Sequence, residues 1–297
     1  MNKNIISDIK FNTILKYADL LCPNEYNSKY TNEYYLKNIL YVLNNFISWK
    51  SLQYSKLIES DKEYHYKTIH KKHILWSNAN VYYYAYNDML NNNTINNITE
   101  NIIIDNTLII NKYGSQEIGY GNGETRKKKY ISLTAVINEN NKPVLIFNNN
   151  TIKKENINTL PHDTKSLINS IDLLKNKIKN NTCIIGDKGY IIDKNKINNK
   201  YIKIVTPKRK NQKEKNTEEE KQKLKTRYKI ENWFSKLKNF NRILVRRDKL
   251  IKTYMGINLN FFRNLSFSPS LRVLLVNFGV CLFRLYVYFI INHLFYD

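Results

Sequence analysis

The chain has 297 residues and a formal net charge of +23, from 48 lysines and arginines against 25 aspartates and glutamates. That length can bury a sizeable core and form two domains. The charge attracts polyanions, most often nucleic acid, although an AT-rich coding sequence would also raise the lysine content. The three cysteines are widely separated and the N-terminus lacks the apolar core of a signal peptide. These features argue against a disulfide framework, a cysteine-based zinc site and secretion, so we expect a reducing, intracellular compartment.

The N-terminal third is predicted to be helical. Residues 34–52 repeat apolar side chains at every fourth position, as Tyr35 and Ile39 illustrate, and residues 70–90 add further aromatic and aliphatic side chains. We expect a small all-helical domain over residues 1–98, with a basic, tyrosine-rich surface that contacts DNA phosphates. The alternative is that the aromatic side chains only fill a small helical core.

An asparagine-rich stretch at 91–99 lacks periodicity and is predicted to link the helices to a second domain. Beyond it, short runs rich in β-branched residues predict strands. The expected order is strands at 102–110, 130–138 and 143–147, a helix at 160–180, strands at 182–186 and 201–206, a mobile charged loop or frayed helix start at 208–223, and a helix at 226–249. The sequence therefore predicts an α/β domain after the helices.

Two aspartates stand where predicted strands end. Asp105 follows three isoleucines, and Asp187 follows the run 183–186. Sites in α/β folds are built at strand ends, and carboxylate oxygens are the ligands that Mg²⁺ prefers. The alternative for either aspartate alone is an ordinary turn residue after a strand.

A third carboxylate, Glu231, belongs to the predicted helix 226–249. On a helical wheel it lies among three cations, Arg227, Lys238 and Arg242, beside an apolar stripe. Two strand-end aspartates and one helical glutamate would make a cage for divalent cations. The alternative is an i, i+4 ion pair on a solvated helix face.

Several of these residues resemble the signature of the DDE transposases of bacterial insertion sequences, in the branches numbered four and five. The likeness lies in Asp187-Lys188-Gly189-Tyr190, in Arg227, Glu231 and Lys238 separated by three and six residues, and in Asp105-Asn106-Thr107. It extends from about residue 34 to about residue 262. His162-Asp163-Thr164 resembles a His-Asp-Ser or His-Asp-Thr element of that family, and we expect Asp163 to cap the helix that follows. One departure is Leu224, where the family often has tyrosine.

The resemblance implies a ribonuclease H-like mixed sheet flanked by helices, forming a catalytic domain over residues 99–265. It assigns catalysis and metal binding to Asp105, Asp187 and Glu231, which would hold two Mg²⁺ or Mn²⁺ ions. Arg227 and Lys238 would steady phosphates beside them. We expect further DNA contacts from the cations Arg242, Arg246, Arg247, Arg126, Lys127 and Lys128, although a charge run is usually a solvated loop.

The function implied is transposition: cutting and joining the terminal repeats of a mobile element to target double-stranded DNA, with a homodimer expected because two ends are processed. Alternatives are a catalytically silent DNA-binding descendant and a nuclease without strand transfer. Residues 266–297 are predicted to form an apolar C-terminal helix packed under the sheet. A membrane anchor is the alternative there, and Arg284 argues against it because a charge near the bilayer centre costs about 2.5 kcal/mol or more.

Overall fold

The computed structural model describes residues 8–26, 28–45, 47–54, 65–94, 100–120, 128–149, 162–174, 181–192, 202–208 and 215–262. Helices come first along the chain and strands begin at Asn101. The helices are α1 (Asp8–Leu21), α2 (Asn32–Asn44), α3 (Tyr66–Asn78), α4 (Val81–Thr94), α5 (Asp163–Leu174), α6 (Glu218–Lys225), α7 (Tyr228–Lys238), α8 (Asn241–Leu244) and α9 (Ile251–Phe262), with 3₁₀ turns at Lys50–Tyr54 and Lys188–Tyr190.

A mixed sheet of seven strands forms the centre of the fold. The strands are β1 (Asn101–Asn111), β2 (Gly119–Tyr120), β3 (Lys129–Asn138), β4 (Pro143–Asn148), β5 (Cys183–Ile185), β6 (Lys203–Val205) and β7 (Val245–Arg246). Their order is β2-β3-β1-β5-β6, with β4 also on β3 and β7 also on β1. The pairs among β1, β2, β3 and β4 are antiparallel, whereas β5 and β7 run parallel to β1, and β6 runs parallel to β5. The predicted α/β class with a mixed sheet is confirmed.

Both faces of the sheet are covered, which explains the nearly continuous apolar sequence of β1. Ile103 and Ile109 belong to one buried cluster, and Ile102 and Ile104 belong to the other. The first cluster joins α1–α4, α7 and α9 to one face, while the second lies beneath α5 on the opposite face. The helical region and the sheet thus share a core, and the division into domains at residue 98 stays a prediction.

The predicted helix at 226–249 is wrong as a single element. A turn at Thr226–Arg227 separates α6 from α7, and α7 ends at Lys238. Phe240 is extended, and after the short α8 the chain enters β7, which pairs with Ile110–Asn111 of β1. Tertiary pairing therefore overrides the helical periodicity of this segment.

Other element boundaries differ from the predicted ones for local reasons. The charged segment 208–223, expected to be a loop or a frayed helix start, contains an ordered helix start, because Thr217 and Glu220 form a capping box at α6. The proposed linker 91–99 is partly helical, since α4 continues to Thr94. Residues 95–99 of that linker, residues 209–214 and the apolar C-terminal segment 266–297 lie outside the described residues. Among the helices that are described, none combines the length and apolar character needed to span a membrane.

Candidate active site

The parallel register of β1 and β5 brings Asp105 and Asp187 to the same level of the sheet. Asn101 pairs with Cys183 and Ile103 with Ile185, so each aspartate stands two residues beyond the last pair. There β5 ends while β1 continues to Asn111, so Asp105 lies within β1 and the expectation that it stands at the end of a strand is wrong. β7 pairs with β1 only at Ile110 and Asn111. Because β3 occupies the other edge of β1, the described strands leave an opening along this edge at Asp105.

Asp105 is partly enclosed at this opening. The backbone N–H of Asn106 donates to Oδ1 of Asp105 at 2.8 Å. Burial raises the pKa of Asp105 to about 6, against the opposing effects of that hydrogen bond and the charge of Arg227, while the charges of Asp187 and Asp163 raise it further. The charge of Arg227 therefore does not offset the cost of burying this carboxylate.

Asp187 caps the 3₁₀ turn Lys188–Tyr190. Its Oδ1 accepts a hydrogen bond of 2.7 Å from the N–H of Gly189. Asp105 and Asp187 thus each use one oxygen to accept a backbone N–H from a residue one or two positions later in the chain. Within the described part of the chain, the second oxygen of neither carboxylate accepts a hydrogen bond. Two such oxygens suit a hard divalent cation such as Mg²⁺ or Mn²⁺.

A further carboxylate, Asp163, lies beside β1 and beside the turn that follows β5. Its Oδ1 accepts a hydrogen bond of 2.8 Å from Nδ2 of Asn106, and a Cβ atom at Gly189 would overlap its Oδ2. The expectation that Asp163 caps α5 is wrong: Asp163 is the first helical residue, and Nδ1 of His162 accepts from the N–H of Thr164 at 3.3 Å. The His-Asp-Thr element was the available signal, but its spacing does not reveal this position.

Tyr190 is buried near the carboxylates. Its side chain is fully buried in the cluster beneath α5, and its hydroxyl has no hydrogen-bond partner among the described residues. Burial, followed by the charges of Asp105, Asp163 and Asp187, raises the pKa of Tyr190 far above its usual value. The phenol therefore stays neutral.

Glu231 occupies a different setting on α7. That helix is anchored by four buried side chains, Ile230, Trp233, Phe234 and Leu237. The Glu231 side chain itself is 60% exposed, and its Oε1 is 3.7 Å from Nη2 of Arg227. Since the charge of Arg227 also acts on Asp105, Arg227 links the helix carboxylate to the strand-end pair.

No group of three or more Asp, Glu, His and Cys side chains within the described ranges is arranged to hold a metal ion. The strand register brings Asp105 and Asp187 to one level, and Arg227 acts on both Asp105 and Glu231. A metal site that uses all three carboxylates remains a prediction.

The cations predicted to contact DNA divide by exposure. Lys128 and Arg247 are exposed and Lys238 is half-buried, whereas Arg126 and Lys127 lie outside the described residues. Arg242 is half-buried, lies 5.4 Å from the centre of the Trp49 ring and donates to the carbonyl of Ile47.

The prediction that Arg246 contacts DNA is wrong. Its side chain is 0% exposed. Its three guanidinium nitrogens donate to the carbonyls of Gln116, Asp248 and Lys249. Arg246 therefore ties the loop after β1 to the chain after β7, and it has no surface on which to meet a phosphate.

Comparisons with protein-family models, with curated proteins and with solved structures found no match.

Proposed function

We propose that this chain is a metal-dependent DDE transposase that cuts and joins the ends of a mobile DNA element by phosphoryl transfer. The observation that carries the proposal is the parallel register, which puts Asp105 and Asp187 at one level beside an opening in the sheet edge. A carboxylate after one strand and a carboxylate at the open edge of its neighbour are suited to hold divalent cations against a substrate.

The order of elements supports a ribonuclease H-like catalytic domain. Three antiparallel strands, β1, β3 and β4, are followed by α5, by the parallel strands β5 and β6, and then by the helix α7 that carries Glu231. That order agrees with the family resemblance of the aspartates and of the Arg227–Glu231–Lys238 spacing. Fold alone does not specify chemistry, so the carboxylates carry the functional argument.

In this proposal Asp105 and Asp187 supply carboxylate oxygens to two Mg²⁺ or Mn²⁺ ions, and Glu231 supplies the third carboxylate. Bound ions of this kind activate a water or a DNA 3′-hydroxyl and stabilise the leaving oxygen of an in-line displacement. Arg227 pairs with Glu231 at 3.7 Å, so a cation must compete with Arg227 for that carboxylate. Arg227 and Lys238 then steady the phosphates of the DNA.

The electrostatics of Asp105 make the proposed activity dependent on pH. Metal binding requires the ionised carboxylate, and burial raises the pKa of Asp105 to about 6. Protonation below that value opposes the binding of a metal ion. We expect cleavage to decrease as the pH falls below about 6 and to level off above it.

The charge of +23 supports a DNA partner. The substrates in this proposal are terminal-repeat and target double-stranded DNA, and the protein acts as a homodimer on two ends. Exposed Lys128 and Arg247, with half-buried Lys238, are the described cations that remain available for backbone contacts.

The proposal is tested by incubating the purified chain with labelled DNA ends of its own element, target DNA and Mg²⁺. The Asp105→Ala, Asp187→Ala and Glu231→Ala variants should lose strand cleavage while keeping most DNA binding. Asp172→Ala is the matched control, because Asp172 is an exposed aspartate on α5. Cleavage at the normal rate by any of the three variants would remove that residue from the site.

The same assay separates the rival functions. Cleavage followed by joining supports a transposase, whereas cleavage without joining identifies a nuclease. Binding without cleavage by the unaltered chain identifies a silent DNA-binding protein.

A further inference from the structure

We propose that Asp163 is a positioning residue that holds the middle of β1, which bears Asp105, and the turn after β5, which bears Asp187, at a fixed separation. The inference rests on the proposed function, because it concerns the same pair of carboxylates. Asp163 opens α5, a helix that lies across one face of the sheet, so a single side chain reaches both β1 and the turn after its neighbour β5.

The first half of this arrangement is a contact to β1 through Asn106. Oδ1 of Asp163 accepts a hydrogen bond of 2.8 Å from Nδ2 of Asn106, and the same amide donates to Oγ of Ser166 at 2.8 Å. The amide oxygen of Asn106 accepts from Oγ1 of Thr134 at 2.6 Å. With both ends of its amide held, Asn106 presents its backbone N–H to Oδ1 of Asp105 at 2.8 Å.

The second half is a contact to the turn after β5. Oδ2 of Asp163 lies where a Cβ atom of residue 189 would be, and that atom would also come 3.1 Å from Oδ1 of Asp187. Oγ1 of Thr164 reaches the carbonyl of Gly189 at 3.5 Å. The N–H of Gly189 donates to Oδ1 of Asp187 at 2.7 Å. Gly189 therefore lets α5 approach the turn that orients Asp187.

These contacts explain how the two aspartates can keep their spacing where the pairing of β1 with β5 ends. The last β1–β5 pair is Ile103 with Ile185, and Asp105 is paired with Ala135 of β3, so the ladder between β1 and β5 does not extend to the aspartates. The first turn of α5 bridges the gap with side-chain contacts instead. Supporting contacts of this kind, when removed, typically change metal affinity or activity by about 10- to 100-fold.

The test measures Mn²⁺ affinity by electron paramagnetic resonance, together with DNA cleavage and thermal unfolding. Asp163→Ala should weaken Mn²⁺ binding by about 10- to 100-fold. Asp163→Asn keeps an acceptor for Asn106, so it should stay within about threefold of the unaltered chain, a difference typical of a partly retained hydrogen bond. Asp172→Ala, an exposed change on the same helix, should alter none of the three measured quantities.

A substitution at Gly189, the other partner of the Asp163 contact, makes the test more specific. Gly189→Ala inserts a methyl group against the Asp163 carboxylate and should weaken Mn²⁺ binding in the same direction. If one contact causes both effects, Gly189→Ala should have little additional effect once Asp163 is alanine. Additive losses would contradict a shared contact.

Each failure has a distinct meaning. Mn²⁺ affinity that is equal in Asp163→Ala and in the unaltered chain contradicts the positioning role alone. An equal loss in Asp163→Asn and Asp163→Ala contradicts it too, because the charge would then be what matters. An unaltered chain that binds no Mn²⁺ overturns both this inference and the proposed function, since there is then no ion for which the carboxylates need to be placed.

Discussion

The two sides of the candidate site are held by different kinds of structure. Asp105 lies within β1 and Asp187 follows β5, and the pairing of these two strands fixes their level. Each carboxylate accepts a backbone N–H from a residue one or two positions later in the chain. Glu231 projects from α7, which is attached to the sheet by apolar packing. Its carboxylate is 60% exposed and has an ion pair with Arg227.

In such a site the two aspartates are fixed by the backbone, whereas the position of the glutamate is adjustable. Backbone ladders and turn hydrogen bonds leave little freedom to the strand-end pair. A side chain on a packed helix depends on the seating of that helix, and a long exposed ion pair contributes at most about 1 kcal/mol. Glu231 can therefore exchange Arg227 for another cation at small cost, whereas Asp105 and Asp187 already stand at one level of the sheet.

The largest effect is expected on the free energy of unfolding, when the packing of α7 is disrupted. Trp233 is 2% exposed and packs edge-on against Phe234 at 5.4 Å between ring centres. Trp233→Ala should lower the free energy of unfolding by about 3–5 kcal/mol, because it leaves a large cavity under α7. Urea unfolding measures the change, and the exposed Lys236→Ala on the same helix should stay within about 0.5 kcal/mol. A loss below about 1 kcal/mol for Trp233→Ala would mean that core packing does not hold α7.

The next largest effect is expected on Mn²⁺ affinity, when a carboxylate is neutralised on either side of the site. Asp187→Asn should weaken Mn²⁺ binding by about 100-fold or more, since it removes a ligand charge from the preformed pair. Glu231→Gln should weaken it by less than about tenfold, because Glu231 must first leave Arg227. Calorimetric titration with Mn²⁺ gives both values. A greater loss in Glu231→Gln than in Asp187→Asn would reverse the assignment of the fixed and adjustable sides.

The smallest effect concerns the stability of the metal-free protein. Burial raises the pKa of Asp105 from its usual 3.8 to about 6, so the folded state binds this proton more tightly than the unfolded state. The stabilisation is present below about pH 4 and is lost as the pH rises through about 6. In a chelator at pH 8, Asp105→Asn should therefore raise the free energy of unfolding by about 1–3 kcal/mol.

Thermal unfolding with and without Mn²⁺ checks this prediction. The gain should shrink at pH 4, where the unaltered carboxyl is protonated in the folded state and partly protonated in the unfolded state. Added Mn²⁺ should stabilise the unaltered chain and leave Asp105→Asn nearly unchanged. A variant that is less stable than the unaltered chain at pH 8 would show that the Asp105 charge is compensated by neighbouring groups.

Much of the strand side could be read from residue pattern. The isoleucines before Asp105 and the apolar run before Asp187 indicated two buried strands, and both exist. The helix side was harder, because Phe240 fits a helical stripe as well as it fits the extended conformation that it adopts. Only the pairing of β7 with β1 decides between those structures.

Arg246 shows the same limit for side chains. In the sequence it is one of three arginines among basic residues, and its type predicts a surface cation. The tertiary structure supplies three carbonyls around its guanidinium, and burial then costs little because every nitrogen has a partner.

The sequence by itself determined the α/β class, the strands that lead to Asp105 and Asp187, and the apolar face of α7, because these depend on periodicity and residue type along a continuous segment. The tertiary structure decided that the two aspartates stand at one level, that Asp163 contacts both β1 and the turn after β5, and that Arg227 acts on Asp105 as well as on Glu231. Asp105 lies 82 positions from Asp187 and 122 positions from Arg227 in the chain, and local pattern carries no information about distances that only strand pairing and helix packing set.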